Sequence, residues 1–166
     1  SSAVKDIIDI AYNACSDIAK PIHNYLVFLN KMNHTFKEIF SFFPKANLKS
    51  TNPNAIDSFG ALTSPDEMLV ISSYLYNLKH ININGNFAEF GCFKGFSSCC
   101  LSHACFELGI DMDIFDSFSG LPESHSEFYK KGAFNADFEE VKNNIKTYGK
   151  IENITFHKGY FSETVK

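Results

Sequence analysis

The 166-residue chain contains no arginine, so its 15 basic residues are all lysines. They are spread among 19 acidic residues, and the formal net charge is −4. Without a basic stripe to follow a phosphate backbone, we expect no nucleic-acid partner. Long apolar runs are also missing: runs such as Tyr25–Leu29 are far shorter than the ~20 residues that cross a bilayer. We therefore predict no membrane span.

The cysteines form no recognisable disulfide or zinc pattern. There are five, an odd number, and the four that crowd one segment contain no C-x-x-C pair. The first residues show no charged segment followed by an apolar one, as a secretory signal would. We predict reduced, buried cysteines in a cytoplasmic protein.

What is present indicates an ordinary globular chain, with 45% apolar and 20% charged residues. Apolar residues at helical spacing over the first 43 residues predict two helices separated by Pro21. We interpret residues 1–46 as a helical appendage and residues 47–62, which are rich in turn formers, as a linker. Residues 63–166 then form the main domain.

The main domain alternates predicted strands and helices. Ser64 as an N-cap, Pro65 at the first helical position and Glu67 closing a capping box predict a helix from Pro65 to about Lys79. The next predicted elements, in order, are a short buried strand Phe87–Phe90, a helix between Gly95 and Gly109, a strand Met112–Asp116, a helix from about Ala136 to Thr147, and a strand Ile154–Lys158. This order predicts a parallel sheet and an α/β fold.

Two strand-end loops carry the chemistry, because ligands of open parallel sheets bind beyond the carboxyl ends of the strands. Gly91 allows a tight turn after the first strand, and Gly95 permits close approach to the following helix. Asp116 ends the second strand, 25 residues after Gly91. Nucleoside-binding α/β proteins place at about this distance an acid that accepts hydrogen bonds from ribose hydroxyls. Ser117 and Phe118 add a hydroxyl and an aromatic face suited to a purine. Together these residues predict an adenosyl ligand, with plain turns as the structural alternative.

The glycine spacing separates two adenosyl cofactors. A dinucleotide site needs G-x-G-x-x-G, whereas this chain has Gly91 and Gly95 in a G-x-x-x-G arrangement preceded by Glu89. The carboxylate of Glu89 would repel a pyrophosphate but could meet the ammonium group of an amino-acid moiety. We therefore favour S-adenosylmethionine over NAD.

Several motifs resemble the macrocin O-methyltransferase (TylF-type) family of class I S-adenosylmethionine-dependent methyltransferases. The similar stretches are Leu62–Met68, Phe87–Ser97, Ile114–Glu123, Gly132–Phe134, Glu140–Val141 and Gly159–Thr164. The most specific is the D-S-F-x-G-L-P run that begins at Asp116. The resemblance covers the chain from about residue 60 onward and implies a Rossmann-like parallel sheet of the class I methyltransferase type.

The resemblance also implies roles for single residues. The methionine part of the cofactor would be surrounded by Thr63, Glu89, Gly91, Cys92 and Phe93. Asp116 would hold the ribose hydroxyls, and the adenosine end would be shaped by Ser117, Phe118 and Gly120. Lys94 stands where the family usually carries an arginine, which keeps the charge but loses bidentate geometry.

The implied reaction is methyl transfer from S-adenosylmethionine to a hydroxyl of a sugar or another small polyhydroxylated acceptor. In the family, the acids that bind magnesium and handle the acceptor follow the third strand. We therefore expect the chain to be the N-terminal part of the fold, with any Mg²⁺ held by residues beyond Lys166. No catalytic residue or metal ligand is assigned. The first strand would then lack one neighbour, which favours homo-oligomers.

Two alternatives stay open. The chain could be a non-catalytic nucleoside-binding or interaction module in which the N-terminal helices supply a dimer surface. An NAD-dependent oxidoreductase is the other alternative, which the glycine spacing disfavours.

Overall fold

The protein is described here by a computed structural model that covers residues 2–43, 63–122 and 131–165. The predicted linker at 47–62 lies outside the described residues. The division into an appendage and a main domain therefore stays a prediction.

The described elements alternate as the sequence predicts. In chain order they are α1 (Ser2–Phe42), α2 (Pro65–His80), β1 (Phe87–Phe90), α3 (Phe96–Leu108), β2 (Met112–Asp116), α4 (Phe138–Tyr148), β3 (Ile154–Lys158) and α5 (Phe161–Thr164). The three strands form a parallel sheet in the order β1-β2-β3. The predicted α/β fold with a parallel sheet is confirmed.

Local capping signals set the ends of α2 and α3. The Ser64 hydroxyl accepts the Glu67 N–H at 3.3 Å, and the Glu67 carboxylate accepts the Ser64 N–H at 2.6 Å. Helix α3 begins after Gly95 and ends at Gly109, both in the left-handed region with φ of 85° and 63°. Each of these boundaries matches its sequence prediction.

Helix α1 corrects the prediction of two N-terminal helices. It is one α-helix of 41 residues that continues through Pro21. A proline was expected to end the first helix because it lacks an N–H and its ring crowds the carbonyl four residues earlier. The second half of α1 packs against α2 and α3, and the hydroxyls of Tyr25 and Ser73 lie 2.6 Å apart.

The core lies between the helices and one face of the sheet. Met112 and Ile114 of β2 are fully buried there, and Val141 and Ile145 of α4 join the same cluster. Aromatic rings occupy the other face: Phe90 stacks on Phe115 at a centroid distance of 5.0 Å, and Phe115 stacks on His157 at 4.2 Å.

Strand β1 is less buried than the sequence suggested. The structure pairs it only with β2 among the described strands, and Phe90 is 55% exposed.

The cysteine prediction also needs one correction. Four cysteines are buried as expected, but Cys15 is exposed on α1.

In its second half, α1 is buried on one side and exposed on the other, which gives a first prediction. Phe36→Ala should lower the free energy of unfolding by about 3–5 kcal/mol, because the ring is fully buried and its removal leaves a cavity. Val27→Ala, on the exposed side of the same helix, should change it by less than about 0.5 kcal/mol. Urea denaturation of both variants measures the difference, and equal losses would contradict the packing described.

Candidate functional site

A cavity of about 590 Å³ lies at the carboxyl ends of the three strands. All three strand-end loops contribute to its wall. The lining residues are Gly91, Phe93, Asp116, Ser117, Gly120, Leu121, Pro122, Phe134, Tyr160, Phe161 and Ser162. Its position is the one that parallel α/β sheets use for ligands.

A smaller cavity of about 140 Å³ adjoins it, since Gly91 and Phe93 line both. Thr63, from the segment before α2, reaches this smaller cavity together with Cys92. Lys94 also lines it, with its ammonium group 3.9 Å from the Glu140 carboxylate. The two cavities therefore lie next to each other at the loop after β1.

Gly91 presents bare backbone to this site. Its φ is 87°, and a Cβ added there would meet nothing within 4 Å. The backbone N–H of Gly91 donates to the Phe115 carbonyl at 2.8 Å, which fixes the turn. The space beside this glycine is thus open to a ligand.

Asp116 connects the first two loops by hydrogen bonds. Its Oδ2 accepts the N–H of Cys92 at 2.8 Å and that of Phe93 at 3.4 Å, and its Oδ1 accepts the N–H of Phe118 at 2.8 Å. A carboxylate has about four acceptor positions, so one position on Oδ1 remains for a further donor. Asp116 lines the larger cavity, where a ligand hydroxyl can reach it.

Glu89 lies behind the loop, at the N-terminal turn of α3. The hydroxyls of Ser97 and Ser98 donate to its two oxygens, each at 2.5 Å. Burial raises the pKa of Glu89 to about 6; the two serine hydrogen bonds lower it, and the nearby Asp116 carboxylate raises it. Glu89 is therefore mostly ionised at neutral pH, and its charge faces the first turn of α3.

The structure brings most of the predicted site residues together. Gly91, Phe93, Asp116, Ser117 and Gly120 line the larger cavity, and Thr63 and Cys92 line the smaller one. Burial raises the pKa of the Cys92 thiol far above its usual range, so this residue stays neutral.

Phe118 differs from the expectation that its ring would face a purine. Its side chain is 8% exposed and packs edge-on against Phe138, with ring centroids 4.8 Å apart. It lines neither cavity. A positive φ of 52° turns its backbone N–H toward Asp116 and its ring toward the core.

Sequence reasoning assigned no role to the third strand-end loop. Tyr160, Phe161 and Ser162 follow β3 and line the larger cavity, as do Leu121, Pro122 and Phe134 from the second loop region. The resemblance included Gly159–Thr164 without giving it a function. The rule that ligands bind at strand carboxyl ends, applied to β3 as to β1 and β2, would have found this loop.

The described residues contain neither a candidate metal cluster nor a membrane-spanning helix. Within ranges 2–43, 63–122 and 131–165, no three or more His, Cys, Asp or Glu side chains form a group that could hold a metal ion. In those ranges no helix is long and apolar enough to cross a bilayer.

Comparison with known proteins identifies the fold. No family model and no curated protein matches the chain. Among solved structures, that of the O-methyltransferase NovP is similar, with a TM-score of 0.61 at 16% sequence identity. The chain has a Rossmann-like O-methyltransferase fold. The match covers 85% of this chain and 66% of the NovP chain. The fold implied by the sequence motifs is confirmed, whereas membership of the macrocin O-methyltransferase family stays a prediction.

The raised pKa of Glu89 predicts a pH dependence of stability. Because the folded chain holds this proton more tightly than a free glutamate with a pKa of 4.5, the free energy of unfolding should fall as the pH rises from about 4.5 to about 6. The loss should be at most about 2 kcal/mol.

Urea titrations at several pH values test this, with Glu89→Gln as the comparison. The amide cannot ionise, so the wild-type and variant curves should diverge between pH 4.5 and 6. Parallel curves across that window would show that Glu89 titrates normally.

Proposed function

We propose that the chain binds S-adenosylmethionine and forms the cofactor-binding part of an O-methyltransferase that acts on a hydroxyl of a sugar or another small polyhydroxylated acceptor. One observation carries the cofactor assignment. Carboxylates of this chain already occupy the two places where a Rossmann-like fold would hold a phosphate group.

The first place is the loop after β1. Backbone N–H groups of such a loop commonly cradle a pyrophosphate. Here the N–H groups of Cys92 and Phe93 donate to Asp116 instead. A pyrophosphate would lose these donors and lie beside a carboxylate.

The second place is the N-terminus of α3, where the helix dipole attracts anions. Glu89 lies there and accepts hydrogen bonds from Ser97 and Ser98. Its negative charge offsets the positive end of the helix. An added anion would therefore be repelled, which disfavours an NAD-dependent oxidoreductase.

The same charges suit a cationic cofactor. S-adenosylmethionine carries a sulfonium and an ammonium group, which would be attracted by Asp116 in the wall of the larger cavity and, through space, by the charge of Glu89, which lines neither cavity. The smaller cavity beside Thr63, Gly91 and Cys92 would receive the amino-acid part of such a ligand.

The larger cavity suits the nucleoside part. The unused acceptor position on Asp116 can take a ribose hydroxyl. Beyond it, Phe93 and Phe134 form an edge-on pair with centroids 6.0 Å apart, and Tyr160 and Phe161 line the same cavity. These rings supply apolar contact for an adenine base.

When bound, the cofactor supplies an electrophilic methyl group for an in-line displacement. The contribution of this chain is to position the donor: bare backbone at Gly91 allows close approach, and Asp116 fixes the ribose. Removal of the acceptor proton requires a general base, for which we assign no residue. The acceptor class rests on the family resemblance, because the fold and the cofactor leave it open.

Calorimetric titration tests the cofactor assignment. S-adenosylhomocysteine should bind the 166-residue chain, whereas NAD should not bind measurably. Asp116→Asn should weaken S-adenosylhomocysteine binding about 10- to 100-fold, because a hydrogen bond to a charged group contributes about 1.5–3 kcal/mol.

Asp113→Asn is the matched control for this titration. It lies on the same strand, but its carboxylate bonds to His157 and Asn86 outside both cavities. It should leave the affinity unchanged. Tighter binding of NAD, or equal effects of the two substitutions, would refute the assignment.

The ionisation of Glu89 should control cofactor affinity. As the pH falls through about 6, Glu89 gains a proton and loses its attraction for the ligand ammonium group. Binding of S-adenosylhomocysteine should weaken by up to about tenfold between pH 7 and 5. Glu89→Gln should bind weakly at both pH values, and a wild-type affinity that does not depend on pH would contradict the role given to this carboxylate.

A further inference from the structure

The Ser97 side chain connects Glu89 with the smaller cavity. Glu89 lines neither cavity, whereas Ser97, in the first turn of α3, lines the smaller one. The Ser97 hydroxyl donates to Oε1 of Glu89 at 2.5 Å. A ligand in the smaller cavity would therefore meet the Ser97 hydroxyl rather than the carboxylate itself.

The neighbouring serine holds the same carboxylate from a different position. The Ser98 hydroxyl donates to Oε2 of Glu89 at 2.5 Å, but its side chain is 0% exposed and lines neither cavity. Both serines thus fix the orientation of Glu89. Of the two, Ser97 is the one that a ligand can contact.

The hydrogen bond to Glu89 decides which chemistry Ser97 offers to a ligand. A serine hydroxyl has one hydrogen to donate and two acceptor positions, and an ionised carboxylate only accepts. Because the hydrogen is used toward Glu89, the Ser97 oxygen can meet a ligand only as an acceptor. Donation to a carboxylate also polarises the hydroxyl and makes its oxygen a stronger acceptor. Such a group suits a cationic N–H donor and not a phosphate oxygen.

The remaining wall of the smaller cavity suits a zwitterionic group. Lys94 lines this cavity and supplies a cation, so the cavity combines a positive side chain with the acceptor at Ser97. An α-amino acid group carries an ammonium and a carboxylate, which complement the acceptor and the cation. A group with only one of the two charges would leave one of these side chains without a partner.

We propose that Ser97 accepts a hydrogen bond from the ammonium group of S-adenosylmethionine, and that Ser98 is a positioning residue that holds Glu89 against Ser97. This inference rests on the proposed function, because it concerns the amino-acid end of the same ligand. It states how the charge of Glu89 acts on that end: through the Ser97 hydroxyl, without direct contact between the carboxylate and the ligand.

The ionisation of Glu89 sets how strongly Ser97 accepts. Burial raises the pKa of Glu89 to about 6, the two serine hydrogen bonds lower it, and the Asp116 carboxylate on β2 raises it. Nearby thiols do not titrate in this range, since burial raises the pKa of each far above neutral pH; they are Cys92, Cys99, Cys100 and Cys105. Loss of either serine hydroxyl should therefore raise the pKa of Glu89.

Calorimetric titration at about pH 8, where Glu89 is ionised, tests the contact. Ser97→Ala should weaken binding of S-adenosylhomocysteine by about tenfold or more, because the lost hydrogen bond is to a charged group. Methylthioadenosine, which lacks the amino-acid part, should bind Ser97→Ala and the wild type equally and so shows that the site is folded. Ser97→Thr keeps the hydroxyl and should restore most of the affinity for S-adenosylhomocysteine.

Ser98→Ala separates contact from positioning. It removes a hydrogen bond to Glu89 without changing the wall of either cavity. At about pH 8 it should lose less affinity than Ser97→Ala, and its affinity should begin to fall at a higher pH than that of the wild type. Equal losses in Ser97→Ala and Ser98→Ala at every pH would show that Ser97 acts only on Glu89, and would overturn the contact.

Urea titrations without ligand test the hydrogen bonds themselves. The wild type should lose stability as the pH rises to about 6. In Ser97→Ala and Ser98→Ala this loss should extend to higher pH, because the folded chain holds the Glu89 proton more tightly. A loss that ends at the same pH in all three proteins would overturn the link between the serines and Glu89.

The failure of this inference and that of the proposed function give different results. A wild type that does not bind S-adenosylhomocysteine would refute the proposed function, and the Ser97 contact with it. A wild type that binds it, with unchanged affinity in Ser97→Ala or with equal losses for methylthioadenosine, would overturn the Ser97 contact alone.

Discussion

The hydrogen bonds of the Asp116 carboxylate organise the candidate site. One side chain accepts N–H groups from Cys92 and Phe93 in the first loop and from Phe118 in the second. Each of these donors would cost about 1–3 kcal/mol if it were buried without a partner. The residue that is proposed to hold the ribose therefore also holds the loop against which the cofactor would lie. In the proposed complex, ligand binding and loop geometry would be coupled through one carboxylate.

A second carboxylate, that of Glu89, favours a cationic ligand over a pyrophosphate at this site. Rossmann-like folds that bind dinucleotides use the N-terminus of a helix and its preceding loop as an anion site. In this chain Glu89 neutralises the helix end through Ser97 and Ser98, and Asp116 uses the loop donors. The fold is thus compatible with either cofactor, and the two side chains favour the cationic one. Under the proposed function, specificity would follow from charge rather than from topology.

Local signals in the sequence predicted much of this structure. The capping box at Ser64, the glycines that bound α3 and the strand that ends at Asp116 act through neighbouring residues, so a short window contains the information. The orientation of Phe118 could not be predicted in this way. It depends on a left-handed backbone turn and on Phe138, a ring 20 residues away in sequence. The third loop was not predicted because the motif Gly159–Thr164 indicates a ligand site only when it is known to follow a strand of the sheet.

Helix α1 shows the limit of local rules most clearly. An internal proline costs a helix about 3 kcal/mol, and this term alone predicts a break at Pro21. The packed half of α1 contacts α2 through Tyr25, whose ring lies against Tyr76 and whose hydroxyl meets that of Ser73. The helix nevertheless continues, and it carries the same apolar face through Ile18 and Ile7. The helical spacing of the apolar residues indicated this continuity, whereas the proline rule alone predicted a break, and the spacing proved the better guide.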